Sequence, residues 1–400
     1  MTRSRSSSVV SLSELKGDVE DKSLERAGDL IRLTKCEDAD IISIAYKYCS
    51  KCLAGAWAKC KPEKFTVNIL NGGLTNYLYV CEVVDDVHFK PHEPRKVLLR
   101  IYGDIVDQKQ RFYEGVIFTL LSERGIGPKT FGVFNSGRIE EFIPFRDLFT
   151  TELADPMIST LIAKRLAEFH SINLPLSKEP TFLWENMEKF IEVCSEITFE
   201  EETKQERFEK MKKKINVHLE YKWLRKMLTD LNSPVVFSHN DLQEGNILYI
   251  NTGDVNTDVK IVDYDYSSFN YRGYDIGNHF CEWMYEYKSH HENGFKVFYN
   301  AYPSRSQQEL FAQQYIKTTN EILNSFSENK IDHQKFKYDL TPCSVETLLD
   351  EGNKFALASH FFWLLWSVIQ ARLSKICFGY LEYAEIRLEA YITHKKQIGF

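Results

Sequence analysis

The chain has no excess of basic residues: its 400 positions include 50 Lys or Arg against 57 Asp or Glu, a formal net charge of −7. A general binder of nucleic-acid phosphates needs a basic surface, so that class is excluded. A disulfide framework is also lacking. The nine cysteines (Cys36, Cys49, Cys52, Cys60, Cys81, Cys194, Cys281, Cys343 and Cys377) are odd in number and scattered, unlike the dense, even sets of small secreted domains. Cys49-Ser-Lys-Cys52 is a CxxC with Cys60 nearby, yet no second CxxC or His pair completes a zinc set, so these read as buried, reduced thiols. The start, Met1-Thr-Arg-Ser-Arg-Ser-Ser-Ser, has no apolar stretch of signal-peptide length, and a cytoplasmic protein is expected. No internal repeat is visible. One apolar run, Phe355 to Ala371, approaches the length of a membrane span but is slightly short and carries Ser359, His360, Ser367 and Gln370. It reads as a buried helix showing a polar and aromatic stripe to a cleft, without stable membrane insertion.

What the chain does have is aromatic residues, 14% of the total, within a 43% hydrophobic composition. That supports a sizeable core and argues against overall disorder. Residues 1–25 are Ser-rich and charged and read as a disordered tail. A helix is expected from Ile41 to Ala58, after the possible cap Asp38. Phe65, Val67 and Ile69 alternate, as do Tyr77, Tyr79, Cys81 and Val83, with the turn Asn71-Gly-Gly-Leu-Thr-Asn76 between them. A strand at 97–102, a helix at 112–124 and strands at 131–134 and 138–143 follow. Beyond Pro144 the character changes. Leu161 to His170 and the charged stretch Glu200 to Lys226 read as helical, 235–237, 247–250 and 259–262 as strands, and the remainder as mainly helical. The expectation is an α+β protein with an N-terminal lobe at 26–145, a connector near 140–148, and a larger, mostly helical lobe at 146–400.

The most specific segment is Ser238-His-Asn-Asp-Leu-Gln-Glu-Gly-Asn246, set between two apolar strands, with Asp263 directly behind the next strand. An H-x-D-x4-N loop followed by a strand and an Asp is the layout of a phosphotransferase site. The chemistry explains the residue types. One carboxylate orients and deprotonates a hydroxyl nucleophile, which suits Asp241. Magnesium on the nucleotide phosphates takes oxygen ligands from amide and carboxylate, which suits Asn246 and Asp263. Gly72 and Gly73, with Thr75 and Asn76, could cover ATP phosphates with backbone N–H groups, or simply close a hairpin. Arg100 stands where a protein kinase carries its strand-borne Lys. Glu114 is a candidate ion-pair partner for it, or an unpaired surface residue. Glu141 to Ile143 lie at the connector, where backbone groups would meet adenine.

These residues resemble the choline/ethanolamine kinase family over nearly all of residues 65–395. The resemblance is carried by the loop 238–246 and by Ile261-Val-Asp-Tyr-Asp-Tyr-Ser-Ser-Phe-Asn-Tyr-Arg-Gly-Tyr-Asp-Ile-Gly-Asn-His-Phe-Cys-Glu-Trp283. It implies a protein-kinase-like bilobal fold and transfer of the ATP γ-phosphoryl group to an amino alcohol, giving phosphocholine in the first step of phosphatidylcholine synthesis. It implies Asp241 as base, Asn246 and Asp263 as magnesium ligands, and Asp265, where the family usually has Glu, near metal or substrate. Asp275 is implied as a support of the catalytic loop. The amino-alcohol pocket would use Tyr266, Tyr287, Trp363, Trp366 and Tyr383, with Glu282 as charge partner and Gln243 nearby. Ring faces suit a quaternary ammonium, which donates no hydrogen bond. The stretch from Cys281 to Tyr287 looks like the choline branch, so choline is the expected acceptor, with some ethanolamine activity. A homodimer is implied by resemblance alone. An ethanolamine kinase, another small-molecule phosphotransferase of the same fold and a catalytically silent binding module remain the alternatives.

Overall fold

The computed structural model describes residues 38–70, 76–84, 88–102, 108–251, 257–288, 291–328, 342–374, 376 and 378–400. The expected tail, the turn residues Gly72, Gly73 and Thr75 with the side chain of Asn76, and Cys377 lie outside that set. The chain divides into two units, one running to Phe145 and including Val262–Asp265, the other comprising Arg146–Ile261 and Tyr266–Phe400. Four residues beyond the connector, Asp263 among them, therefore belong with the first unit.

The first unit has helix α1 (Asp38–Leu53), strands β1 (Phe65–Ile69), β2 (Asn76–Val83) and β3 (Lys96–Tyr102), helix α2 (Gln108–Glu123), and strands β4 (Thr130–Phe134) and β5 (Gly137–Glu141). The helix expected from Ile41 to Ala58 is interrupted. Ala54 and Gly55 both have positive φ, 52° and 49°, which a right-handed helix does not accommodate, so a one-turn helix Gly55–Lys59 follows separately. The antiparallel sheet has the order β1-β2-β3-β5-β4. Strand alternation sorts its two faces. Tyr79, Cys81, Val97, Leu99, Ile101 and Ile139 pack with Ala45, Cys49 and Trp57. On the other face Leu78, Val80 and Leu98 form a smaller group, and Arg100 follows Leu98 at strand spacing. Cys49, Cys60 and Cys81 are buried free thiols.

In the second unit, α3 (Pro156–His170) starts a turn earlier than Leu161, because the Asp155 side chain accepts from the Met157 and Ile158 amides and Pro156 sets the first turn. Helix α4 (Thr181–Glu196) follows. The stretch expected to be one helix from Glu200 to Lys226 is two, α5 (Glu202–Lys214) and α6 (Val217–Thr229), split where Asn216 caps the second by accepting from the Leu219 amide. Short strands β6 (Arg146–Asp147), β7 (Val235–Ser238), β8 (Ile247–Asn251), β9 (Thr257–Ile261) and β10 (Ser268–Tyr271) form a β6-β8-β9 sheet and a β10-β7 pair. Helix α7 (Arg272–Glu282), the pair β11 (Tyr285–Glu286) and β12 (Lys296–Val297), and helices α8 (Arg305–Glu328), α9 (Val345–Leu373) and α10 (Tyr380–Gln397) complete it.

The apolar run 355–371 lies within α9 and is buried over most of its length. No helix among the described residues is long and apolar enough to cross a membrane. α7 lies directly on α9: a Cβ on Gly277 would sit 2.4 Å from the Gly352 carbonyl oxygen and 2.6 Å from the Ala356 amide nitrogen. Only glycine allows that approach, and it brings Asn278 and Glu282 against the polar and aromatic side of α9.

Candidate active site

In the first unit, Arg100 enters a nearly solvent-free network. Its Nε donates to Glu140 Oε1 at 2.7 Å, and Arg138 Nε donates to the same oxygen at 2.8 Å. The expected Glu114–Arg100 pair is corrected here: Glu114 accepts from Arg138 Nη1 at 2.7 Å, while its charge still acts on Arg100 through space. Arg138 and Glu140 were not anticipated. Their signal is two charges flanking Ile139 on a strand, with Arg100 facing Arg138 and Leu98 facing Glu140 in the register. Burial opposes the Arg100 charge, but Glu140, then Asp263 and Glu114, outweigh it and raise its pKa. Glu114 is pushed up to about 7 by burial and by Asp265, against Arg138 and Arg100. Asp263 has φ 69°, a left-handed conformation that non-glycine residues adopt only where the surroundings hold them. At the end of β5, Glu141 spends its amide on the Lys129 carbonyl at 2.8 Å, and Ile143 is half-buried.

In the second unit, the 238–246 loop runs from β7 into β8 and is clamped from beneath. Asp275, fully buried in the first turn of α7, accepts from the His239 amide at 2.6 Å, the Asn240 amide at 2.7 Å and His170 Nε2 at 3.0 Å. Those bonds overcome the burial penalty and hold its pKa below the ordinary carboxyl value. Burial lowers the His170 pKa against the pull of Asp275. The neutral ring presents Nε2–H to the carboxylate and accepts from the Tyr315 hydroxyl on Nδ1 at 2.7 Å. Asn240 has φ 66°, and its side chain donates to the Tyr266 carbonyl and to Ser268 Oγ, both at 2.8 Å, while Asn270 donates to its oxygen at 2.7 Å. His279, pushed down to about 4 by burial, donates from Nδ1 to the Leu242 carbonyl at 3.0 Å. The loop thus holds Asp241 in one orientation. Asn246 Nδ2 donates to the Asp241 carbonyl at 2.8 Å and to its Oδ2 at 3.2 Å. Both residues are buried.

The five aromatics singled out in the sequence lie on one continuous chain of ring contacts. Tyr266 meets Trp363 at 5.6 Å between centroids, Trp363 meets Trp366 at 5.4 Å, and Trp366 meets Tyr380 at 5.8 Å. Tyr380 meets Phe378 at 4.8 Å, Phe378 meets Tyr383 at 5.9 Å, and Tyr383 meets Tyr287 at 5.9 Å. Most are edge-on, the arrangement ring quadrupoles favour. Phe378 and Tyr380, the links between the two ends, were not anticipated. Tyr380 and Tyr383 lie at the start of α10, and Phe378 immediately precedes the cap residue Gly379. Asn278 Oδ1 fixes the end of the array by accepting from Trp363 Nε1 at 2.9 Å and Ser359 Oγ at 2.8 Å. Gln243 is buried with an Oε1 that has no hydrogen-bond partner among the described residues. Glu282, the expected charge partner, is itself engaged: its carboxylate is paired with Arg387 and accepts from the Tyr287 hydroxyl at 2.7 Å.

The choline/ethanolamine kinase family model matches residues 67–392. Choline kinase alpha of Mus musculus is 41% identical over 378 residues, covering 89% of this chain and 81% of that protein. The choline/ethanolamine kinase of Rattus norvegicus is also 41% identical, over 357 residues, covering 88% of this chain and 86% of its own. Among solved structures, the choline kinase of Cryptosporidium parvum superposes with a TM-score of 0.69 at 27% identity, covering 89% of this chain and 96% of that one. A match spanning both units, the clamped 238–246 loop and the aromatic array agree: the chain belongs to the choline/ethanolamine kinase family.

Proposed function

We propose that this ATP-dependent phosphotransferase acts on choline, giving phosphocholine and ADP, with ethanolamine as a slower acceptor. The ring array from Tyr266 to Tyr287 carries the choice of acceptor. A trimethylammonium head has no N–H to donate, and is held by ring faces that each contribute about 0.5–2 kcal/mol. In this reading Tyr266, Tyr287, Trp363, Trp366 and Tyr383 receive the head, and Gln243 offers a buried acceptor oxygen beside the catalytic loop. Asp241 takes the acceptor's hydroxyl proton as that oxygen attacks the γ-phosphorus. The bond from the γ-phosphorus to the bridging oxygen breaks, and ADP leaves with the electron pair.

Asn246 and Asp263 would hold magnesium. Both supply oxygen, the ligand a small hard cation prefers, and the commitment of Asn246 Nδ2 to Asp241 leaves its amide oxygen as the coordinating atom. Bound there, the ion neutralises charge on the nucleotide phosphates. Arg100 adds a fixed positive charge, Gly72, Gly73, Thr75 and Asn76 cover the phosphates, the backbone from Glu141 to Ile143 meets adenine, and Asp265 supports metal or substrate. The homodimer implied by resemblance and the expected cytoplasmic location belong to the same reading.

ADP release with Mg-ATP, measured as kcat/KM for choline and for ethanolamine, tests this. Choline is expected to be the better acceptor; a ratio at or below unity overturns the choice of acceptor, and no turnover with either overturns the reading. Trp366→Ala should raise KM for choline about two- to thirty-fold with little change in kcat, the equivalent of one ring contact. An unchanged KM would remove that ring from the pocket.

A further inference from the structure

Arg387 has no role in the reading above, yet it is among the most completely buried polar side chains in the second unit, with no solvent exposure. It stands one helical turn after Tyr383 on α10, and each of its three guanidinium nitrogens has a partner. Nε donates to the Tyr383 hydroxyl at 2.8 Å and Nη2 to the same oxygen at 2.5 Å. Nη2 also reaches the Tyr287 hydroxyl at 3.3 Å and pairs with Glu282 Oε1. Nη1 faces His360 Nδ1 at 3.3 Å, and the plane lies 4.0 Å over the Tyr285 ring. His360 accepts that bond as a neutral ring, since burial, Arg387 and His394 all depress its pKa.

The proton count around the two tyrosines follows. Tyr287 has one hydroxyl proton, which it gives to Glu282 Oε2 at 2.7 Å. The 2.6 Å contact between the two hydroxyls therefore has Tyr383 as donor. Nη2 shares its two N–H groups among Glu282 and the two hydroxyls, so Tyr383 accepts from Nε and Nη2, and Tyr287 from Tyr383 and, at the longer 3.3 Å, from Nη2. A hydroxyl oxygen has two lone pairs. Both are filled, and the Glu282 charge is neutralised.

We propose that Arg387 is a positioning residue that sets acceptor specificity: by occupying Glu282 and the Tyr287 and Tyr383 oxygens, it withdraws these three hydrogen-bond acceptors from this wall of the pocket and leaves the ring faces. A methylated ammonium needs no such acceptor. A primary ammonium brings three N–H groups and finds these three acceptors already taken, which costs binding. The inference rests on the assignment of these rings to the amino-alcohol pocket.

The test compares kcat and KM for choline and ethanolamine in wild type, Arg387→Met, Arg387→Lys and Arg387→Met/Glu282→Gln. In Arg387→Met the ratio of kcat/KM, choline over ethanolamine, is expected to fall about tenfold, the scale of one net hydrogen bond. The change should be carried by a lower KM for ethanolamine. Arg387→Lys keeps the charge and should hold the ratio within about threefold of wild type. The double variant removes both buried charges and should recover the melting temperature while losing the ethanolamine gain. Equal losses for both acceptors in Arg387→Met, or an ethanolamine gain that persists in the double variant, would overturn the proposal.

Should Arg387→Met fail to fold, Glu282→Gln decides. An uncovered guanidinium repels both cations alike, so both KM values should rise with their ratio held. A loss confined to ethanolamine would mean that Glu282 touches the ammonium directly and would sink the idea. If wild type turns over neither acceptor, the pocket assignment itself has failed; if it does and the ratio stays fixed in every variant, only the role of Arg387 has.

Discussion

Asp241→Ala is expected to lower kcat by about 10²–10⁴-fold, the range a positioned general base contributes, while the protein stays folded. The loop does not depend on the Asp241 carboxylate for its shape. His239 and Asn240 hang from Asp275 through their amides, Asn240 is pinned to the strand carrying Ser268, and Asn246 keeps its 2.8 Å bond to the Asp241 backbone carbonyl. The 3.2 Å bond from Asn246 to Oδ2 is lost. Asp241→Asn separates the two functions of the side chain. Its oxygen can still accept from Asn246, but it cannot take up a proton, so its loss in kcat should match that of alanine. KM for choline should move little in either variant, because the ring array is untouched. ADP-release kinetics together with thermal melts check both points. Turnover within about threefold of wild type would remove Asp241 from the role of base, since no general base contributes so little.

The parts of this site that were legible in the sequence are those whose residues lie close together along the chain. From Ser238 to Asn246 the loop chemistry is contiguous, and two flanking apolar strands mark where it must sit. The aromatic residues were legible one by one, but their connection was not. Tyr287 and Tyr383 are 96 positions apart, and the 2.6 Å bond between their hydroxyls has no counterpart in local spacing. Arg387 was invisible for the same reason: its partner Glu282 is 105 positions away. Without it Glu282 reads as an idle negative charge waiting for a cation. The Arg100 network repeats the pattern. Glu114 was a sensible partner by analogy with strand and helix order, yet β5 sets Arg138 opposite Arg100 and Glu140 two positions along, and the side chains pair Glu140 with Arg100 and Arg138 with Glu114. Helix ends failed differently. The cap at Asp155 and the break at Asn216 depend on one side chain turning back to an amide, and the helical pattern runs past both.

Asp275→Asn should cost about 3–5 kcal/mol, the scale of removing one charge from a buried, hydrogen-bonded set. It should also lower kcat at least tenfold, through the misplacement of the loop that holds Asp241. The substitution is nearly isosteric, so the loss would come from hydrogen-bond polarity. The carboxylate accepts three bonds, from the His239 and Asn240 amides and from His170 Nε2. An asparagine has one accepting oxygen, and its NH₂ would face at least one of those donors with no acceptor between them. The dependence on pH separates an ionised anchor from mere packing. The Asp275 pKa is held below the ordinary value of 3.8, the bonds to His170 and to the loop outweighing burial. The folded state therefore gives up this proton more readily than the unfolded chain does, and the group stabilises the fold fully above the unfolded pKa. Its contribution is lost as pH falls through the folded value. Urea unfolding of both proteins should accordingly show the full gap at pH 7 and at pH 5, and a shrinking gap below about pH 4, near the unfolded carboxyl pKa. A gap that stayed constant into that acid range would mean that shape, and not the charge of Asp275, holds the catalytic loop.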